Sequence, residues 1–371
     1  MTQASGTFRA LPRMMAALLL VTPLALASDS QKGKGFEHLY NLEYDRAIAE
    51  FRREIALRPE EPAGYNHLAQ AILYRAMYQQ GILENAVVSG QEPILSLIRQ
   101  PKLRLAAADR QDFLSAMDTA DALAHSRLRA NSGDAGAIYA LGVAHGIRAN
   151  YDFLARKAWL SAIRHGGKAR KLHNFLARKA WLSAIRHGGK ARKLHSKAYA
   201  LDPSHADALF IQGIHNYVVA SLPAGLRVLA AAAGVRGDKE AALRTLETVA
   251  KRGNCNRVDA RILLTVLYRR EEKSAMAVPL LDELLSDFPR NYLLHFAQIH
   301  AYIESGNNLE ASDSLRSLEN RIASGAPGYG GVRMDHIEAA RKLIHARFGC
   351  LDCTLVGAAQ AAAKKPAYPV P

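Results

Sequence analysis

The residues best suited to chemistry lie near the C-terminus, where Cys350-Leu351-Asp352-Cys353 has the spacing of a dithiol pair. Thr354 stands where haem attachment would need histidine. The pair also follows a predicted terminal helix instead of opening one, so no helix N-terminus stabilises a thiolate. The chemistry that remains is a local disulfide between Cys350 and Cys353. Cys255 has no partner in the sequence and reads as an isolated thiol. The 14 histidines are scattered. His165/His173 and His187/His195 recur eight residues apart across glycine pairs, a spacing that builds no metal site, and the histidines are expected to be solvated. Gly234 to Lys239 lacks the spacing of a phosphate-binding loop, and the HExxH and GxSxG patterns are absent. No catalytic residue, metal ligand or cofactor site is expected, and the chain reads as a non-enzyme.

Charge is the other chemical resource. The formal net charge is +15 over 371 residues, and much of it sits in one duplicated block. Phe153 to His173 recurs identically as Phe175 to His195, a period of 22, and each copy carries six Lys or Arg and no acid. Arg156, Lys157, Arg178 and Lys179 are the candidate basic patch. Such a field suits anionic envelope lipid or polysaccharide. Nucleic acid is not expected, because no aromatic stacking pattern accompanies the charge. At about 100° per residue, 22 helical residues make six circuits plus roughly 40°, nearly preserving an apolar face. The pairs Gly166-Gly167 and Gly188-Gly189 argue instead for breaks, and the second copy is expected to be accommodated poorly.

The elements that must carry these groups are helices. Hydrophobic residues make up 49% of the chain, aromatics 7%, and β-branched alternation is rare. From Asp259 to Pro289, two apolar stripes at helical spacing flank Glu271-Glu272-Lys273: Ile262, Leu263, Val266 and Leu267, then Ala277, Leu280, Leu281, Leu284 and Leu285. A shift of 34 residues brings Tyr268 to Tyr302, Ala277 to Ala311, Leu281 to Leu315 and Leu284 to Leu318. This helical hairpin resembles the tetratricopeptide repeat, whose pattern places are filled by Leu264, Tyr268, Ala277 and Pro289. Arg261, Thr265 and Leu281 depart from it. The fold class expected is all-α, a tetratricopeptide-like solenoid of about six helical hairpins with irregular insertions.

Earlier hairpins follow the same pattern, through Tyr44, Ala47, Phe51 and Pro59, then Tyr65, Leu68, Ala69 and Ile72 with a second helix near 112–130. Ile138, Leu141, Gly142 and His145 pair with Ala191 and Ala198; Leu209 and Gly213 pair with Ala242, Leu246 and Val249. Insertions are expected at about 85–110 and 221–237. The second reads as a buried helix, with an interfacial helix as the alternative. A capping helix is expected from about Asp335 to Phe348, with a disordered tail over 349–371. Arg9 and Arg13 precede a 14-residue apolar run ending in Ala25-Leu26-Ala27. That run is too short to span a bilayer and has the layout of a signal peptide over 1–27. The repeat domain is then 28–348, exported to the periplasm or cell envelope.

The chain further resembles a family of exported bacterial tetratricopeptide proteins. The resemblance is carried by Gly142–Tyr151, Arg156–Trp159, Lys171–His173, Asp202-Pro203, Tyr217–Val219, Ser221–Pro223, Arg236–Lys239 and Asn256–Asp259. It implies a non-catalytic envelope protein and brings no ligand with it. On the repeat register Asn66, Gln70, Tyr74, Phe210, Tyr217, Arg269 and Arg270 are expected to line a concave groove. Their amide, aromatic and guanidinium groups suit a protein or peptide partner with an acidic end or side chain. The competing expectation is that these positions contact neighbouring repeats.

Overall fold

The computed structural model describes residues 33–84, 102–156, 170–221 and 236–349, with a few positions between 224 and 231; for 170–185 it describes the backbone alone. Residues 1–32, on which the expected signal peptide falls, residues 157–169, most of both insertions and the Cys350–Cys353 pair lie outside the described residues. Among those described, all regular structure is helical.

The 34-residue ruler sets the pattern. Helix α9 (Arg257–Arg270) and helix α10 (Ser274–Asp287) form one hairpin. In α10, Ala277, Leu281 and Leu284 are completely buried, four and three residues apart on one face. Burying each leucine contributes about 1.5–3 kcal/mol, while Ala277 lets the helix axes approach. The same face recurs one repeat later in Ala311, Leu315 and Leu318 of α12 (Asn308–Ala323), which pairs with α11 (Tyr292–Ser305).

Four more helical hairpins precede this pattern and a single helix follows it. The first hairpin is α1 (Lys34–Tyr40) and α2 (Tyr44–Leu57), and the second α3 (Pro62–Gln79) and α4 (Ala107–Ala130). Then come α5 (Ala135–Arg156) with α6 (Arg170–Leu201), and α7 (Phe210–Ala220), entered through a 3-10 turn at Ala206–Leu209, with α8 (Lys239–Arg252). Helix α13 (Met334–Phe348) caps the far end. Neighbouring helices pack in sequence order, giving six hairpins and a cap. The molecule is an all-α helical-hairpin solenoid of tetratricopeptide-like form.

The hairpin turns are built alike. The amide of Glu43 donates to His38 O at 2.9 Å, Lys273 to Tyr268 O at 2.8 Å and Asn307 to Tyr302 O at 2.9 Å. Each bond closes a six-residue loop around one left-handed residue, as in a Schellman cap. That residue is Gly306 at φ 83° in the last case, but Leu42 (φ 64°) and Glu272 (φ 59°) in the others. An L-residue there costs roughly 1–2 kcal/mol.

The duplicated block overturns one expectation. Helix α6 runs unbroken for 32 residues through Gly188-Gly189. A Cβ at either glycine would meet nothing within 4 Å, so the pair lies on an open face, where glycine weakens a helix without forcing it to stop. Ala191 and His195 of the second copy, and Ala198 just beyond it, face inward, so the C-terminal part of the second copy packs into the stack. The 221–237 insertion is corrected as well: Ala224, Arg227 and Val228 are exposed, Val228 by 68%, so these positions are not part of a buried helix. No helix among the described residues is long and apolar enough to cross a membrane.

Candidate binding cleft between the first and fifth hairpins

The stack does not stay open. The first hairpin reaches the turn between α10 and α11, about 250 residues away in sequence. Arg290 is the pivot: its amide donates to Asn41 Oδ1 at 2.9 Å, and its guanidinium to Glu43 Oε1 at 2.9 Å and Glu37 Oε1 at 3.0 Å. Asn291 Nδ2 donates to Tyr40 O at 2.7 Å. The Tyr40 and Phe288 rings meet at 5.0 Å, and His336 Nδ1 lies 2.7 Å from Glu84 Oε1. These contacts replace the open curved surface expected from stacked hairpins with a closed one.

Closure leaves a cavity of about 150 Å³ behind the contact. The first hairpin lines it with Leu39, Tyr40, Leu42 and Tyr44, and α3 with Tyr74. Helix α9 contributes Asp259, Ile262, Val266 and Arg269, and α11 Leu293, Leu294 and Ala297. The wall is mostly apolar, and three of its polar groups are engaged elsewhere. Thr265 donates to Ile262 O at 2.7 Å, and Asn291 caps α11 through Leu293 N at 3.0 Å. Arg269 clasps Glu304 with Nε at 2.9 Å and Nη2 at 2.7 Å.

Asp259 is different. It is 3% exposed, and its Oδ2 has no hydrogen-bond partner. Burial pushes its carboxyl well above the usual carboxylate range; Tyr40 pulls it back, and the charge of Asp207 adds to the rise. The Tyr40 hydroxyl is buried beside it and closes no hydrogen bond of normal geometry. Asp207, by contrast, is structural. Its carboxylate accepts from Asn254 N at 3.1 Å and Asn256 N at 2.8 Å, and Asn256 Nδ2 donates to Tyr139 OH at 2.7 Å. That network locks the α8–α9 turn onto the start of α7 and onto α5.

The sequence-derived groove positions divide. Asn66 and Gln70 are interior: Asn66 Nδ2 donates to Ala140 O at 3.0 Å, linking α3 to α5, and Gln70 is 1% exposed. Phe210 is completely buried. Tyr217 is buried too, its hydroxyl donating to Glu271 Oε1 at 2.5 Å. These four therefore contact neighbouring repeats, not an open groove. Tyr74 and Arg269 meet at the cavity, and Arg270 lies over the Tyr217 ring at 5.6 Å. Of the basic patch, Arg156, Arg178 and Lys179 lie in helical backbone and Lys157 lies outside the described residues. Among the described residues His125 and His345 are exposed, but several histidines are not solvated. His67, His145, His195, His295 and His300 are all buried, His145 and His187 facing each other Nδ1 to Nδ1 at 2.9 Å. No group of three potential ligands gathers around a metal position among the described residues.

Asp259 and Tyr40 escape a reading of the sequence because each sits at an ordinary repeat position. Only the closure, which has no periodic signal, brings them together.

No protein-family model matches the chain, and no curated protein matches it. Among solved structures it is similar to the crystal structure of yeast Tom70, at 14% identity over 89% of this chain and 98% of that one, with a TM-score of 0.26. The class therefore rests on the helix pairing itself.

Proposed function

We propose that the chain is a non-enzymatic scaffold that holds a partner protein or peptide on the helical stack. The supporting observation is Arg270. It is partly exposed, is held over the Tyr217 ring and forms no ion pair with a carboxylate among the described residues. A guanidinium fixed on an aromatic face with its donors uncommitted suits an acidic side chain or a C-terminal carboxylate. Photo-crosslinking from exposed position 272, beside Arg270, in extracts of the native source, with and without Arg270→Glu, tests this. A discrete protein captured by the parent and lost in the variant is expected; capture unaffected by charge reversal would contradict the reading.

The setting belongs to the same proposal: residues 1–27 act as a leader cleaved after Ala27, and the mature chain works in the periplasm or envelope. Mass spectrometry of the protein from an exporting host should find Ser28 at the terminus, and an intact Met1 in the cytosolic fraction would contradict it.

A second reading, a peripheral protein of anionic envelope surfaces, draws on α6. That helix contains no acidic residue, and Arg186, Lys190, Lys193 and Lys197 are exposed along it. Vesicle or polysaccharide binding that weakens with rising salt would favour it.

A further inference from the structure

From the unpartnered Asp259 carboxyl oxygen and the tyrosines around the closure cavity, we infer that the cleft between the first and fifth hairpins is a binding site for a small organic cation bearing an alkylammonium or quaternary ammonium group.

Four observations carry the inference. The first is shape. A cavity of about 150 Å³ accepts roughly six to eight non-hydrogen atoms, the size of a single ring or a short branched chain. The second is the wall: Tyr40, Tyr44 and Tyr74 line it from two helical hairpins, and phenol rings attract ammonium groups by their negative faces.

The third is the uncommitted polar group. Thr265, Arg269 and Asn291 have their partners within the protein, whereas Asp259 Oδ2 is buried with only the Tyr40 hydroxyl beside it and closes no hydrogen bond of normal geometry. A buried polar group that lacks a hydrogen bond destabilises the fold, and it is retained without penalty only where something else satisfies it. An alkylammonium N–H would do so by hydrogen bonding, and a quaternary ammonium by its charge against the ionised carboxylate.

The fourth is the sign of the charge. Arg269 is the cation nearest to the cavity wall, and its bidentate pairing with Glu304, which also accepts from Ser274 Oγ at 2.8 Å, neutralises it. An ionised Asp259 would then be the net charge of the site, complementary to a monocation. An anion would meet the Asp259 carboxyl and no uncommitted cation, and a neutral apolar molecule would leave the carboxyl unsatisfied.

The site is independent of the partner-protein reading, since Arg270 is not among the cavity-lining residues. Failure of one leaves the other standing.

Isothermal titration calorimetry of the full chain with choline and with its neutral isostere 3,3-dimethylbutan-1-ol tests the inference. Saturable choline binding is expected, at least about tenfold tighter than that of the alcohol. Asp259→Asn should abolish the preference while the protein remains folded, as checked by its melting curve. Val266→Phe, which fills the cavity from α9, should abolish binding of both. A parallel arm with phosphatidylcholine vesicles separates a free cation from a lipid headgroup: co-sedimentation lost in Asp259→Asn assigns the headgroup, and calorimetric binding without co-sedimentation assigns the free molecule. Absence of saturable binding by choline and by vesicles would overturn the inference. So would equal affinity for choline and the alcohol, or a preference that survives Asp259→Asn.

Discussion

Single residues in this molecule carry unequal burdens, and Asp259 carries the heaviest. Its carboxyl is held above the ordinary carboxylate range by burial, so at neutral pH the folded chain either keeps a proton that the unfolded chain has released or holds an unpaired charge. That penalty exists above the unfolded value and fades as pH falls toward it. Asp259→Asn should therefore raise stability at pH 7 by about 1–2 kcal/mol, with a smaller gain near pH 4, measurable by denaturant titration at both values. The buried histidines act in the opposite direction. Burial lowers His145, His215, His295 and His300 to about 4 and His195 to about 3. The folded state keeps them neutral where the unfolded chain would protonate them, so their contribution is fully present above about pH 6.5 and is lost as pH falls from there toward 4. Each can contribute a slope of up to about 1.4 kcal/mol per pH unit. Five histidines outweigh one aspartate, and the denaturation midpoint should fall steeply between pH 6.5 and 4.5. A flat profile would mean that these rings are solvated in the native state.

Elements were largely legible in the sequence, because each is specified by neighbours three or four residues away. The faces Ala277-Leu281-Leu284 and Ala311-Leu315-Leu318, the long α5 beyond Asn150 and the capping helix after Asp335 all follow from periodicity. What misled was glycine: Gly188-Gly189 reads as a break, yet α6 spans it, and a buried face continues beyond the pair through Ala191, His195 and Ala198. Two outcomes are expected at this scale. Glu272 is exposed and left-handed at φ 59°, so Glu272→Gly should stabilise the chain by about 0.5–1 kcal/mol; a loss would show that its side chain makes contacts worth more than the strain. Removing residues 175–196 takes away buried Ala191 and His195, but the first copy supplies the same residues in the same order. The shortened chain should melt within a few degrees of the parent or higher, and a larger drop, corresponding to more than roughly 1–2 kcal/mol, would show that the second copy is needed in its own right.

At the scale of the whole molecule the determining feature is closure, and it was not legible. Nothing in the spacing of Glu37, Asn41 and Glu43 announces that they will meet Arg290 and Asn291, because contacts across about 250 residues leave no periodic trace. The candidate site was illegible for the same reason: the cleft exists only between elements from opposite ends of the chain. The amide and aromatic positions expected on an open groove are interior for a nearer reason, their packing against neighbouring hairpins, which leaves Arg270 uncommitted on one side and the Asp259 cavity on the other. The most direct test is a disulfide trap. Asn41 Oδ1 lies 2.9 Å from Arg290 N, so the two positions are neighbours in the closed stack and a disulfide between them reports the contact. Asn41→Cys with Arg290→Cys, in a chain whose native cysteines are replaced, should oxidise to an intramolecular crosslink that migrates anomalously on a non-reducing gel and reverts with reductant. Thiols that stay reduced, or that pair only between molecules, would contradict the closed stack.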